Sequence, residues 1–248
     1  MSLTAVTLGN VVKKLYIFKM KSYMGLFTSL VILQLLALLF SLSGVGSSGG
    51  SINGNYVSVT YYSADMVIAF TLLWSFISAI MITTKAYRED DFIFVTNRFI
   101  SNLANIAFLI TASLIGAITA LLSSFLLKVV IYYFVQVEPA INSSMVYSPM
   151  EFILGMVTTF GYIFLFSAVG YLIGSFVQFH KLFMFLIPVL LIGFIVPVSR
   201  NGFNILIYAG EFYFQEPSFF LTIMKVVGTV GILFSASILL LNQREVRK

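Results

Sequence analysis

The chain has no cysteine. That excludes a disulfide framework, thiol catalysis and thiolate metal sites. Its single histidine, His180, lies outside any H-E-x-x-H pattern, so a zinc site lacks the clustered ligands it needs. There is no G-x-x-x-x-G-K-[ST] nucleotide loop and no G-x-S-x-G elbow. The chain is therefore read as no enzyme, with no cofactor of its own. Charge is scarce as well, at 9% of residues against 60% hydrophobic, with 26 Phe. The mean hydropathy is +1.03. A soluble globule of 248 residues could not hide that much apolar surface. The main solvent must be lipid.

What is there is a series of long apolar runs. A bilayer core of about 30 Å takes roughly 20 residues of helix. Six runs qualify, at residues 24–43, 66–84, 102–127, 152–174, 182–198 and 218–241. The fifth is short and carries Pro188 and Pro197, which argue for a kinked or ending helix. The runs are too long for barrel strands and lack their strict alternation. The expectation is an all-α, six-helix membrane protein forming one domain over residues 1–248. The first run follows Lys21 and precedes "SLSGVGSSGG", a passing likeness to a secretory signal. Its length, and the four lysines in a long polar lead, make it a retained span instead.

Lys and Arg near the span ends set the orientation. With the N-terminus inside, eleven of the 14 fall on the cytoplasmic side: Lys13, Lys14, Lys19, Lys21, Lys85, Arg88, Arg98, Lys181, Arg244, Arg247 and Lys248. An even number of spans then puts both termini in the cytoplasm of a cell with the chain in its plasma membrane. Asp65, Glu138, Glu151, Glu211 and Glu216 fall at or beyond the outer ends. Residues 1–22 place Val11, Val12, Leu15 and Phe18 on one helical face, with lysines interleaved. That suits an interfacial helix on an anionic lipid surface, or a basic tail that only fixes topology. The Gly/Ser/Asn-rich stretch after the first span reads as a flexible outer connection. Residues 199–217 are semi-apolar and suit the interface or a partial dip into the membrane.

The span interiors offer little for chemistry. Ion-coupled carriers bury Asp, Glu, His or Arg mid-membrane, and here only Lys225 stands well inside a run. It either snorkels outward or lines a polar cavity. Thr71, Trp74, Ser75 and Ser78 share helical spacings on the second span. Small residues allow close packing; Thr71, Trp74 and Ser78, with Lys225, are also the candidates for a substrate path.

The stretch "TTKAYREDDFIFVTNRF" breaks the pattern, with Lys85, Arg88, Glu89, Asp90, Asp91 and Arg98 in one short connection over 85–98. Charge runs straight into the bare apolar "FIFV". Solvated loops rarely expose four such residues together. Charge beside exposed Phe suits a docking element, with Asp90 or Asp91 capping a short helix that opens at Phe92. A polar loop whose Phe side chains dip into headgroups is the alternative.

In layout and in this motif the chain resembles the permease subunits of ABC type-2 exporters, in particular the small six-helix permeases of Gram-positive bacteria. Arg88, Glu89, Phe92, Phe94, Thr96 and Arg98 match the family's Arg-Glu, short apolar run, small polar residue and Arg. Asp90-Asp91 and Val95-Thr96-Asn97 depart from its usual Gly-Thr and Pro positions. The resemblance implies two permease subunits, identical or different, over separate ATPases that hold the ATP and Mg. It implies that Arg88, Glu89, Asp90, Asp91, Phe92, Phe94 and Arg98 form the ATPase-coupling segment. It implies export of a hydrophobic or amphipathic cargo, such as a toxin-like peptide, a lipid-like molecule or a drug. Lipid is the surrounding partner and no nucleic acid is expected. An ion-coupled carrier, a membrane immunity or sensor protein and an intramembrane protease are the competing expectations.

Overall fold

The computed structural model describes residues 8–44, 46–52, 55–89, 97–135, 148–179, 182–183, 186, 189, 205–216 and 218–242. The protein is a helical, membrane-embedded, multi-pass bundle. Among the described residues five helices are long and apolar enough to cross a membrane: Met24–Ser41, Asp65–Thr83, Arg98–Phe134, Pro149–Gln178 and Phe219–Leu241. The run expected at 182–198 lies outside the described residues except at four positions, so the described residues hold the other five of the six expected runs.

The elements run α1 (Leu8–Ser22), α2 (Met24–Ser41), β1 (Gly46–Ile52), β2 (Asn55–Tyr61), α3 (Asp65–Thr83), α4 (Lys85–Glu89), α5 (Arg98–Val130), α6 (Pro149–Phe179), α7 (Ile205–Phe214) and α8 (Phe219–Asn242). A π-helical turn, Ile131–Val135, extends α5. Successive spans alternate in direction from α2 through α6, and α8 runs parallel to α6. One end of the bundle therefore carries the α3–α5 connection, and the other carries the hairpin β1–β2.

The closest packing is between α3 and α6. Gly170 and Gly174 form a G-x-x-x-G pair on α6. A Cβ at Gly170 would overlap the Phe76 carbonyl, and one at Gly174 would overlap Thr83 Oγ1. Within lipid there is no hydrophobic drive between helices, so backbone approach through small residues takes its place. Ser75, Ala79 and Thr83 supply the small face of α3, all buried. Ser75 Oγ also donates to the Ile163 carbonyl of α6 at 3.1 Å. Around this seam Leu30, Phe108, Leu109, Leu165, Ala168 and Phe234 fill the core. Val31, Ile32, Leu35, Leu36 and Leu39 on α2 stay about half exposed, which is what a lipid-facing stripe requires.

Two segments differ from expectation. The Gly/Ser-rich outer connection is an antiparallel hairpin, paired from Gly46↔Tyr61 to Ile52↔Asn55. That register leaves Asn53 and Gly54 between the strands, the residue pair that two-residue hairpin loops favour because both positions need φ > 0. The semi-apolar segment contains α7, which folds back on the bundle: Tyr162 OH donates to the Tyr213 carbonyl at 2.6 Å.

The amphipathic lead is helix α1, and it is docked on protein. Leu15 packs with Ile100 and Ala104 of α5, flanked by Val11, Val12 and Phe18. The face read from sequence is thus the buried one. Lys13, Lys14 and Lys21 remain exposed.

Candidate functional site at the roots of the connection

The connection between α3 and α5 is tied to the bundle at both roots. Its first root is α4, which follows α3 after the single extended residue Thr84. Tyr23, at the α1–α2 joint, donates its hydroxyl to the Tyr87 carbonyl at 3.1 Å. The Tyr23 and Tyr87 rings meet edge to face, 4.7 Å apart. Arg88 Nη1 donates to Gln178 Oε1 at 3.1 Å, and Gln178 Nε2 donates to the Thr83 carbonyl. Gln178 therefore bridges the end of α3 to the start of the connection. At the second root Asn97 caps α5, its side chain accepting from the Phe99 N–H at 3.5 Å. Arg98 Nη1 donates to the Leu241 carbonyl in the last turn of α8 at 3.3 Å. A cation is favourable there, because the last carbonyls of a helix lack intrahelical partners.

Of the residues expected to couple, Arg88 and Arg98 are thus placed and bonded. Glu89 closes α4 as backbone. Asp90, Asp91, Phe92, Phe94 and Thr96 lie outside the described residues, as does the helix expected to open at Phe92. The described helix of the connection is α4.

Just inside these roots lies a buried polar chain that sequence reasoning did not single out. Lys19 is 1% exposed and donates to Asn105 Oδ1 at 2.6 Å. Asn105 Nδ2 donates to Tyr171 OH at 3.2 Å. Tyr171 OH donates to Asn102 Oδ1 at 2.9 Å. The chain joins α1, α5 and α6. Asn102 and Asn105 stand three apart, on one face of α5, and are both buried. Lys19 also stands 5.8 Å from the Tyr23 ring centroid, so the two systems touch. A second set lies deeper: Gln34 Nε2 donates to Thr71 Oγ1 at 3.1 Å and to the Gly116 carbonyl at 3.4 Å. Ser113 and Ser167 meet at 3.3 Å. A polar side chain inside a span stands out by type alone, so Gln34, Asn102, Asn105 and Gln178 carried a signal. Lys19 did not, because its neighbours Lys13, Lys14 and Lys21 look the same in sequence.

The residues expected on a substrate path divide. Thr71 is fully buried, with its hydroxyl also donating to the Val67 carbonyl at 2.7 Å, and serves packing. Trp74 and Ser78 line an open groove beside α2 and α4. Trp74 Nε1 donates to Ser29 Oγ at 3.0 Å. Lys225 is apart from both, at the hairpin end. It pairs with Glu216, donates to the Phe212 carbonyl at 3.2 Å and stands 4.2 Å from the Phe212 ring centroid. There it acts as a cation on the last turn of α7. Glu151 is likewise structural: Ser148 N–H donates to Glu151 Oε2 at 3.1 Å, and Glu151 N–H donates to Ser148 Oγ at 3.2 Å, a reciprocal capping box that opens α6.

Among the described residues no three His, Cys, Asp or Glu side chains come together to hold a metal ion. No protein-family model, curated protein or solved structure matches this chain.

Proposed function

We propose that the protein is the membrane-spanning permease subunit of an ATP-driven exporter of the ABC type-2 kind, working with a separate ATPase. On this reading the connection faces the cytoplasm and its central residues Asp90, Asp91, Phe92 and Phe94 receive the ATPase. Two permease subunits, alike or different, form the membrane half. The cargo is hydrophobic or amphipathic.

One observation carries the reading: both roots of the connection are bonded to other helices. Tyr23, Gln178 and Leu241 bring α2, α6 and α8 to Tyr87, Arg88 and Arg98. A force applied to the connection reaches three spans besides the two it joins. A loop that only links two helices needs no such ties. The sequence adds the second half of the argument, since a chain without a nucleotide loop needs an outside motor.

The test is co-expression with an ATPase encoded beside this gene. Reversing Asp90 and Asp91 to Lys, or Phe92 and Phe94 to Asp, should release the ATPase or leave it bound without transport. Full transport by an intact complex of the reversed protein contradicts the coupling role. A second reading, an ion-coupled carrier, draws on the burial of Lys19 among amides, the type of group such carriers place inside the membrane. Uptake or efflux by the isolated chain, driven by an ion gradient alone, would favour it.

A further inference from the structure

The groove lined by Trp74 and Ser78 runs between the α1–α2 joint, α2, α3 and α4 and has a volume of about 530 Å³. That falls within the roughly 300–1,000 Å³ of small-molecule sites. Its walls divide by chemistry. Leu33, Ile77 and Met81 give apolar wall, and Ser29, Ser78 and Tyr87 bring polar groups to it. No charged side chain lines it.

Ser78 is the informative residue. It is 4% exposed. The other hydroxyl residues of the same helix, Thr71, Ser75 and Thr83, each donate to a carbonyl three or four residues back. Ser78 does not, and its hydroxyl makes no hydrogen bond among the described residues. The little of Ser78 that stays exposed includes its hydroxyl, which is not among the buried atoms left without a partner; a hydroxyl facing an apolar groove is disfavoured unless something supplies the partner. Its place on the groove wall says where the partner enters.

We propose that this groove binds a single-chain, uncharged amphiphile. Its hydroxyl or carbonyl head hydrogen-bonds Ser78, and its alkyl tail runs along Leu33 and Ile77 past Trp74. Two features choose this occupant over a bilayer phospholipid. Ser78 stands five residues inside the end of α3 at Thr83, about 7 Å along the helix. A phosphate headgroup stays at the membrane interface and does not sink to that depth. The uncharged lining would also leave an ionic head without a counter-charge. As the cargo site of an exporter, the groove rests on the reading above; as a binding site it does not. Binding is measured without an ATPase, so the two ideas fail separately.

Trp74 is the only tryptophan of the chain, so its fluorescence reports this groove alone. The probe is dibrominated stearyl alcohol, added to the purified full-length protein in phosphatidylcholine vesicles. Quenching of Trp74 should saturate at a low mole fraction of probe. Gly25 lines the groove, and a Cβ there meets nothing within 4 Å. Gly25→Phe should therefore fill the groove without disturbing the bundle, and should return quenching to the unsaturable level given by bulk lipid. Ser78→Ala leaves the space open and should weaken saturable quenching about fivefold, the loss of one hydrogen bond. Elution volume and melting point control for folding; if Gly25→Phe fails them, Gly25→Leu and Ser78→Ala carry the test. Quenching that rises linearly with probe and is unchanged in both variants overturns the proposal. So does saturable, Gly25-sensitive quenching by dibrominated phosphatidylcholine, which would give the groove to bilayer lipid. Dissociation of a dimer by Gly25→Phe would give it to a second copy and overturn the proposal equally.

Discussion

The two ends of the bundle are held in different ways. At the hairpin end the polar bonds are short in sequence, apart from Tyr162 to the Tyr213 carbonyl. Ser148 and Glu151 cap one helix over three residues, and Lys225 reaches back to Glu216 and Phe212. At the connection end the bonds are long: Lys19 to Asn105, Tyr23 to Tyr87, Arg88 to Gln178, and Arg98 to Leu241. Local bonds make helices begin and end well. Long bonds fix helices relative to one another. Long interhelix bonds also cross the middle of the bundle, from Gln34 to Thr71 and from Ser75 to Ile163, but of the two ends the one where the charged connection leaves carries more of them.

The largest way to break this comparison is through the glycines. Gly174→Val at the connection end forces a side chain into Thr83. It should abolish recovery of folded protein, read as loss of the monodisperse peak in size exclusion. Gly155→Val and Gly228→Val, where an added Cβ meets nothing within 4 Å, should elute as wild type. Equal behaviour of all three would remove the close α3–α6 seam from the account.

Next in size is the buried polar chain. Asn105→Leu removes an acceptor used by Lys19, and losing a hydrogen bond to a buried charge costs about 1.5–3 kcal/mol. Lys19→Met removes the charge together with its need and should cost clearly less, as read by thermal unfolding in detergent. Tyr171→Phe removes the hydroxyl that joins the two amides and should cost about 0.6–1.7 kcal/mol, the range of single hydrogen bonds within membranes. If Lys19→Met is the most damaging of the three, Lys19 serves something beyond packing, and the carrier reading gains.

The smallest effects belong to the hairpin end. Ser148→Ala should cost about 1 kcal/mol through the lost cap. Lys225→Met should cost less than Asn105→Leu, because Lys225 and Glu216 keep a fifth to a quarter of their side-chain surface exposed whereas Lys19 is 1% exposed. A larger loss at Lys225 than at Asn105 would reverse the contrast between the two ends.

The spans were legible because bilayer thickness sets a run length that composition alone can meet. Met24, Asp65 and Phe219 each start helices within a residue of the expected position. The inward face of α1 was legible too, since Val11, Val12, Leu15 and Phe18 follow helical spacing; that they meet α5 was not. The hairpin was hidden by its Gly/Ser content, although Asn53-Gly54 carried the signal. The Gly170–Gly174 pair was likewise readable as a packing motif. The Lys19 chain was not, because its bonds join residues 66 to 86 positions apart and a lysine bound for the interior looks like any other in a basic lead.

The absence of native cysteine makes the central claim directly testable, because one introduced cysteine is then the only thiol. Asp91→Cys, in the chain co-expressed with any ATPase encoded beside its gene, is treated with a thiol-to-amine cross-linker. The account predicts a permease–ATPase adduct whose yield changes when ATP is trapped on the ATPase, while Gly50→Cys in the hairpin gives none. An adduct from Gly50→Cys, or none from Asp91→Cys in a complex that co-purifies and transports, would contradict it.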